Sequence, residues 1–309
     1  MAARAAVNAA LRKAILFAAD NSAVKRFVRR YGMRLGAGRF VAGETLDDSV
    51  AALTKLNEQG LYANTTLLGE AVHERAAVDA VVAEYVRVID RIAGMKANVA
   101  LKLTQLGLEI DEELAFANIK NLCEHAATHD EFIRIDMEQS SFVDATLRIY
   151  RRLRESGVDN VGTVLQAYLY RTPDDLESLL PLKPNLRLVK GAYLEPPDVA
   201  YPQKTDVDAM YARLMERMLD AGSHTAIATH DDRLIEHALA YAREHDVPSD
   251  RFEFQMLYGI RTELQADVAR RGHKVLVATP YGPEWYPYLM RRLGERPANL
   301  LFFLRNAIR

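Results

Sequence analysis

Eight short apolar runs recur along this chain, and most are followed by a segment with helical periodicity. They are LYANTTL, NVALKL, FIRIDM, VGTVLQAY, LRLVKGAY, HTAIATHD, FEFQML and HKVLVAT. Strand-length runs that alternate with helices imply parallel pairing, because a parallel neighbour is reached only through a crossover. Eight such units predict an α/β fold, a closed (β/α)8 barrel of the TIM type. Val78, Val81, Val82, Tyr85, Val86, Ile89 and Ile92 mark one helix by their spacing, and Val207, Met210, Tyr211, Leu214, Met215 and Met218 mark another. Thr205 and Asp208 read as a capping box for the second. The stretch before the first run also reads as helical, with Thr45 and Asp48 capping a helix through Leu46, Val50 and Leu53. The expected organisation is therefore an N-terminal helical segment, residues 1–60, packed on a distorted barrel of residues 61–309.

Composition narrows the class. With 49% hydrophobic and 27% charged residues in 309, the chain can bury one large core and does not read as disordered. A net charge of -2 gives no reason to expect a nucleic-acid partner. The single cysteine, Cys123, excludes an internal disulfide and a multi-cysteine metal site, fits a reducing compartment, and leaves no metal assigned. The opening stretch AAVNAALRKAILFAAD is interrupted by Arg12 and Lys13, so it reads as an amphipathic helix of a cytoplasmic protein rather than a signal peptide. No G-x-G-x-x-G follows a strand; Gly36, Gly38 and Gly43 have the wrong spacing for a dinucleotide loop and read as a turn.

Strand parity sorts the polar residues. Val99, Leu101 and Leu103 share one face, which places Lys102 on the other, pointing into the barrel. Ile133 and Ile135 likewise leave Arg134 and Asp136 inward, and Leu186 and Leu188 leave Arg187 inward. Gln166 closes its run in a similar place. Lys102 and Asp136 alone would read as a structural ion pair. Arg187 and Gln166 beside them favour a bound polar ligand at the C-terminal strand ends, where barrel enzymes keep their sites. Lys190 has the opposite parity but precedes Gly191 and Ala192 where the strand should end, so charge and backbone N–H groups there suit a phosphate or form only a turn. In IATHDD, His230 reads as a base, a donor to a ligand or the cap of the following helix, with Asp231 the best capping residue. Met256 and Leu257 read first as core. In TPYGPEWYPYLMRRLGERPAN, Tyr288, Arg291, Arg292 and Glu295 fall near one helical face, and paired guanidinium groups suit a small carboxylate.

Together RFVAGETL, LLGE, ALKLTQLG, RLVKGAYLEP, ATHD, EFQMLYGIR and WYPYLMRRLGERPAN resemble the proline dehydrogenase family from about residue 39 onward. The chain is similar to the monofunctional bacterial form, being too short for the further modules of bifunctional members. The resemblance implies an FAD-dependent enzyme that takes hydride from C5 of L-proline to flavin N5, gives pyrroline-5-carboxylate and passes electrons to a membrane quinone. It implies that Lys102, Arg291 and Arg292 bind the proline carboxylate, that Leu257 and Tyr288 enclose the ring, and that Asp136 (as partner of Lys102) and Arg187 are catalytic. Met137, Gln166, Lys190, Gly191, Ala192, Thr229 and His230 match the family's FAD contacts, and Glu70 with Arg292 matches its gate. The sequence departs from the family at Ala278, where an aromatic is common and the pocket would widen, and at Thr66, where an acid is common. A methylenetetrahydrofolate-reductase-like flavin barrel, an inactive flavin-binding regulator and a barrel enzyme using a phosphorylated ligand or pyridoxal phosphate, with Lys102 forming the imine, are the alternatives. Arg12, Lys13, Lys25, Arg26, Arg29 and Arg30 read as a solvated face or as a weak peripheral contact with the inner face of the membrane.

Overall fold

The computed structural model describes residues 21–69 and 71–295. Eight parallel strands close into one barrel in sequence order. They are β1 (Tyr62–Leu67), β2 (Ala97–Leu101), β3 (Ile133–Ile135), β4 (Val161–Gln166), β5 (Asn185–Val189), β6 (His224–Ala228), β7 (Phe252–Leu257) and β8 (Val275–Tyr281). Each falls within or against one of the eight apolar runs. Closure comes from β1 against β8, paired from Tyr62 with Leu276 to Leu67 with Tyr281. Every predicted outward residue, from Val99 and Leu101 through Ile133 and Ile135 to Leu186 and Leu188, is fully buried in the main core.

Ten helices are described: α1 (Ser22–Leu35), α2 (Leu46–Glu58), α3 (Arg75–Ile92), α4 (Glu112–Ala127), α5 (Val143–Glu155), α6 (Thr172–Leu179), α7 (Lys204–Asp220), α8 (Asp232–Glu244), α9 (Thr262–Arg270) and α10 (Trp285–Glu295). One follows each strand from α3 onward. In α3 the predicted stripe is the buried face, with Val78, Tyr85, Ile89 and Ile92 at zero exposure. The Thr45–Asp48 capping box forms at the start of α2, each side chain satisfying the other's backbone N–H. The box expected at Thr205 and Asp208 does not form. The cap of α7 is Gln203, without a side-chain bond, and the Asp208 carboxylate is taken by the ammonium groups of Lys190 and Lys204.

The barrel departs from a regular one at its seam. The helix that packs on the outside of β1 and β8 is α2, not the helix that follows β8. Ser49 of α2 meets the outward Thr65 of β1, hydroxyl to hydroxyl, at 3.0 Å. The last helix, α10, instead contacts α1, and its Trp285, Tyr286, Leu289 and Met290 form a second small core with Val28, Phe40 and Val41. That displacement puts Arg292 of α10 over the C-terminal mouth of the barrel. Among the described residues, no helix is long and apolar enough to cross a membrane.

Candidate active site

The mouth of the barrel holds a cavity of about 790 Å³, in the upper part of the roughly 300–1,000 Å³ span of small-molecule sites. The strands fix its polar groups in order. Lys102 follows β2, Asp136 and Met137 follow β3, Gln166 ends β4, and Lys190, Gly191 and Ala192 follow β5. Thr229 and His230 follow β6, and Leu257 ends β7. All of these, with Arg187 and Arg292, line the one cavity.

Deep in the barrel, Arg187 Nη1 donates to Asp136 Oδ1 at 2.7 Å and Nη2 to Asn64 Oδ1 at 3.3 Å. Its side chain is only 10% exposed, yet its buried Nε has no hydrogen-bond partner in the protein. Leaving a buried donor unsatisfied costs about 1–3 kcal/mol, so this guanidinium is set up to be completed by something in the cavity. Below it, Arg134 donates to the Asn185 and Thr163 carbonyls at 2.7 and 3.0 Å. Burial, reinforced by the neighbouring Arg187 cation, pushes the Arg134 pKa down to about 9, which still leaves it charged at neutral pH.

The expected Lys102–Asp136 pair is replaced. Asp136 is held by Arg187, and Lys102 Nζ donates to the Gly69 carbonyl at 3.2 Å. Lys102 begins a 3-10 turn, Leu103–Leu106, rather than ending a strand. That turn is anchored by Glu138, which accepts from Thr104 Oγ1 at 2.8 Å and Thr104 N at 3.3 Å. The Glu138 carbonyl also accepts from Gln166 Nε2 at 2.8 Å, so one residue orients two sides of the cavity. Burial raises the Glu138 carboxyl above its ordinary pKa, against the bonds from Thr104 and the nearby Lys102.

At the other end, the glycine after β5 is a required one. Gly191 has φ +113, and a Cβ there would lie 2.2 Å from the Tyr168 ring. Lys190 Nζ pairs with Asp208 and lies 3.5 Å from Asp231. Burial alone would raise the Asp208 pKa, but the bonds from Lys190 and Lys204 outweigh it and lower it. Asp231 caps α8 by accepting from Arg233 N at 3.2 Å, as expected. His230 Nε2 accepts from Leu257 N–H at 2.9 Å, so the neutral ring carries its proton on Nδ1. The His230 carbonyl accepts from Arg261 Nη1 at 2.8 Å.

Tyr288 is half-buried and does not line the cavity; it lies under Arg292, whose guanidinium is 5.4 Å from the ring centre. Glu70, Arg12 and Lys13 lie outside the described residues, as do the side chains of Arg291 and Glu295. Asn64, Glu138, Tyr168, Lys204 and Arg261 join the site without having been singled out, and Asp208, read only as part of a helix cap, joins it as the partner of Lys190. Tyr168 and Asp208 act on residues distant in sequence, and only strand parity could have marked Asn64.

Residues 49–305 match the family described as proline dehydrogenase. The chain belongs to that family. It is 42% identical over 301 residues to proline dehydrogenase 1 of Bacillus subtilis (strain 168), covering 97% of this chain and 99% of the relative. It is 41% identical over 304 residues to proline dehydrogenase of Deinococcus radiodurans, covering 96% and 98%. Among solved structures, proline utilization A from Bdellovibrio bacteriovorus, inactivated by N-propargylglycine, aligns with TM-score 0.77 at 24% identity. That alignment covers 83% of this chain and 32% of the larger one, and it shows the barrel fold alone. The barrel-mouth site is thus where this proline dehydrogenase family member carries its polar constellation.

Proposed function

We propose that this chain oxidises L-proline to pyrroline-5-carboxylate with FAD seated in the mouth cavity, and that a membrane quinone accepts the electrons. The observation that carries the reading is the set Lys102, Asp136, Arg187 and Arg292 around one cavity in a proline dehydrogenase family chain.

The residues fit a dinucleotide. Lys190, Lys204 and Arg261 bring cationic groups to one end of the cavity, and Gly191 lets the backbone pass close beneath the Tyr168 ring. The orphaned Nε of Arg187 asks for an acceptor at the other end. Met137, Gln166, Lys190, Gly191, Ala192, Thr229 and His230 would hold the cofactor. When bound, FAD supplies the hydride acceptor that no side chain can provide. The protein's part is orientation and charge. Lys102 and Arg292, with Arg291 by family likeness, take the substrate carboxylate, while Leu257 gives an apolar wall. Tyr288 acts through Arg292 by stacking beneath its guanidinium. Asp136 holds Arg187 in place at 2.7 Å, so the pair works as one positioned unit. Glu70 and Arg292 would close the site over substrate.

The division into a helical segment of residues 1–60 serving a barrel of residues 61–309 is supported by α1 and α2, the α-helices described ahead of β1. For a membrane contact, Lys25, Arg26 and Arg30 are exposed, whereas Arg29 is paired with Glu284 and so docked on the protein.

The test is an absorbance spectrum taken anaerobically before and after L-proline. An oxidised flavin spectrum that bleaches with L-proline and not with NADH is expected; a flavin that resists proline defeats the substrate assignment. Arg292→Lys should lower kcat/KM for proline by about tenfold to a hundredfold, mainly through KM, the scale of one charged hydrogen-bonded contact.

A further inference from the structure

On the opposite end of the barrel from the mouth, three ligating side chains converge that the proline chemistry does not use. Asp90 sits in the last turn of α3, His125 in the last turn of α4, and His129 just beyond it. His125 and His129 are four residues apart, and Thr128 between them keeps helical backbone angles, so both rings fall on one side. Both offer Nε2 to the same oxygen: His125 Nε2 is 2.7 Å and His129 Nε2 3.3 Å from Asp90 Oδ1. The rings meet edge to face with centres 5.5 Å apart. Among the described residues this is the one place where three such ligand atoms come together.

The backbone beneath is held in place. Ile89 and Ile92 of α3 and Leu122, Cys123 and Ala126 of α4 are buried in the main core. The turn past α4 is tied by His129 N–H to the Ala126 carbonyl at 3.0 Å and by Thr128 Oγ1 to the His125 carbonyl at 2.7 Å. The side chains themselves remain reachable, with 34%, 33% and 49% exposure for His125, His129 and Asp90. The set is therefore built from rigid supports and open on its solvent side.

We propose that Asp90, His125 and His129 bind a divalent ion of the zinc class, clamping the C-terminal turns of α3 and α4. Zinc bonds of about 2.0–2.2 Å to nitrogen and oxygen place tetrahedral ligand atoms about 3.3–3.5 Å apart, so the two nitrogen–oxygen distances of 2.7 and 3.3 Å need only a small spread. Two imidazoles and one carboxylate favour zinc and its neighbours over magnesium or calcium, which take oxygen ligands. The ion replaces the proton that each imidazole–carboxylate hydrogen bond requires, and water completes its coordination. A simple hydrogen-bonded trio is the competing account, and the two differ in what they do with zinc.

The experiment is a zinc titration of the full, flavin-loaded chain after chelator treatment, in competition with a chromophoric chelator. Thermal denaturation is followed alongside. The chain has eight histidines, so the comparison that decides is with His125→Ala/His129→Ala. The proposal expects one saturable equivalent in the parent chain, a Tm that rises with zinc, and loss of that equivalent in the variant. Losing even an outer partner of a metal ligand costs about tenfold in affinity, so losing the ligands should weaken binding by at least that. The flavin spectrum should not change. Equal zinc binding in both proteins, or no saturable equivalent in the parent, overturns it. If the variant does not fold, cobalt titration of the parent decides instead: a tetrahedral visible band saturating at one equivalent supports the site, and its absence overturns it.

Discussion

At the scale of single residues, the site depends on close approaches that leave no room for substitution. Gly191 combines a left-handed φ with close contact against the Tyr168 ring. Gly191→Ala should therefore add strain of about 1–3 kcal/mol and push the chain away from the place proposed for the flavin. Flavin content per protein, read from absorbance, should fall together with Tm. Gly157 is the control, since its φ is +85 but no atom lies within 4 Å of an added Cβ. Gly157→Ala should lose some Tm and keep its flavin; equal flavin loss in both would show that Gly191 has no special part. Gly191 stood out in the sequence by its place at a strand end, whereas the need for it came from Tyr168, over twenty residues earlier in the turn after β4.

At the scale of elements, the helix that follows β6 shows how a cap can serve a site and stability together. Asp231 accepts from the Arg233 side chain and backbone and lies near Lys190, which together hold its carboxyl at about 2 against an ordinary 3.8. A folded pKa below the unfolded one means the folded state prefers the charged form. The stabilisation is then complete above about pH 4 and is lost as pH falls through 2. Asn caps a helix about as well as Asp, so Asp231→Asn removes the charge and keeps the cap. The Tm difference between parent and variant should be present at pH 5 and vanish near pH 2. A difference independent of pH would assign the effect to packing. This cap was legible as a T-H-D at the end of an apolar run. The Thr205–Asp208 box had an equally good local pattern and failed, because two ammonium groups compete for the Asp208 carboxylate once the elements are packed.

At the scale of the whole molecule, the final helix owes its position to the first described one. A Cβ on Gly32 of α1 would lie 2.6 Å from Trp285 Cη2 at the start of α10. Trp285 is the chain's sole tryptophan, fully packed, with its indole N–H donating to Glu44 at 2.6 Å. Gly32→Val should overpack this contact, at about 1–3 kcal/mol, and tilt the helix that carries Arg292. Tryptophan emission should shift, and KM for proline should rise with a smaller change in kcat. A shifted emission with unchanged KM would separate the second core from substrate binding. This coupling explains why a helical segment outside the barrel alternation matters to the mouth.

What the sequence by itself determined is what one element's backbone geometry encodes. Alternation within each run separated Leu101 from Lys102 and Leu188 from Arg187, and the order of runs and helices implied a closed parallel barrel. From that came the placement of polar residues at C-terminal strand ends. Tertiary structure alone decided the partners. Asp136 meets Arg187 across 51 residues and two strands, while its near neighbour Lys102 turns to Gly69. Asp90 meets two histidines across a helix pair, and α2 takes the outer seat that α10 leaves. Periodicity is a property of one segment, but pairing depends on how segments are placed against one another and on how far each side chain reaches.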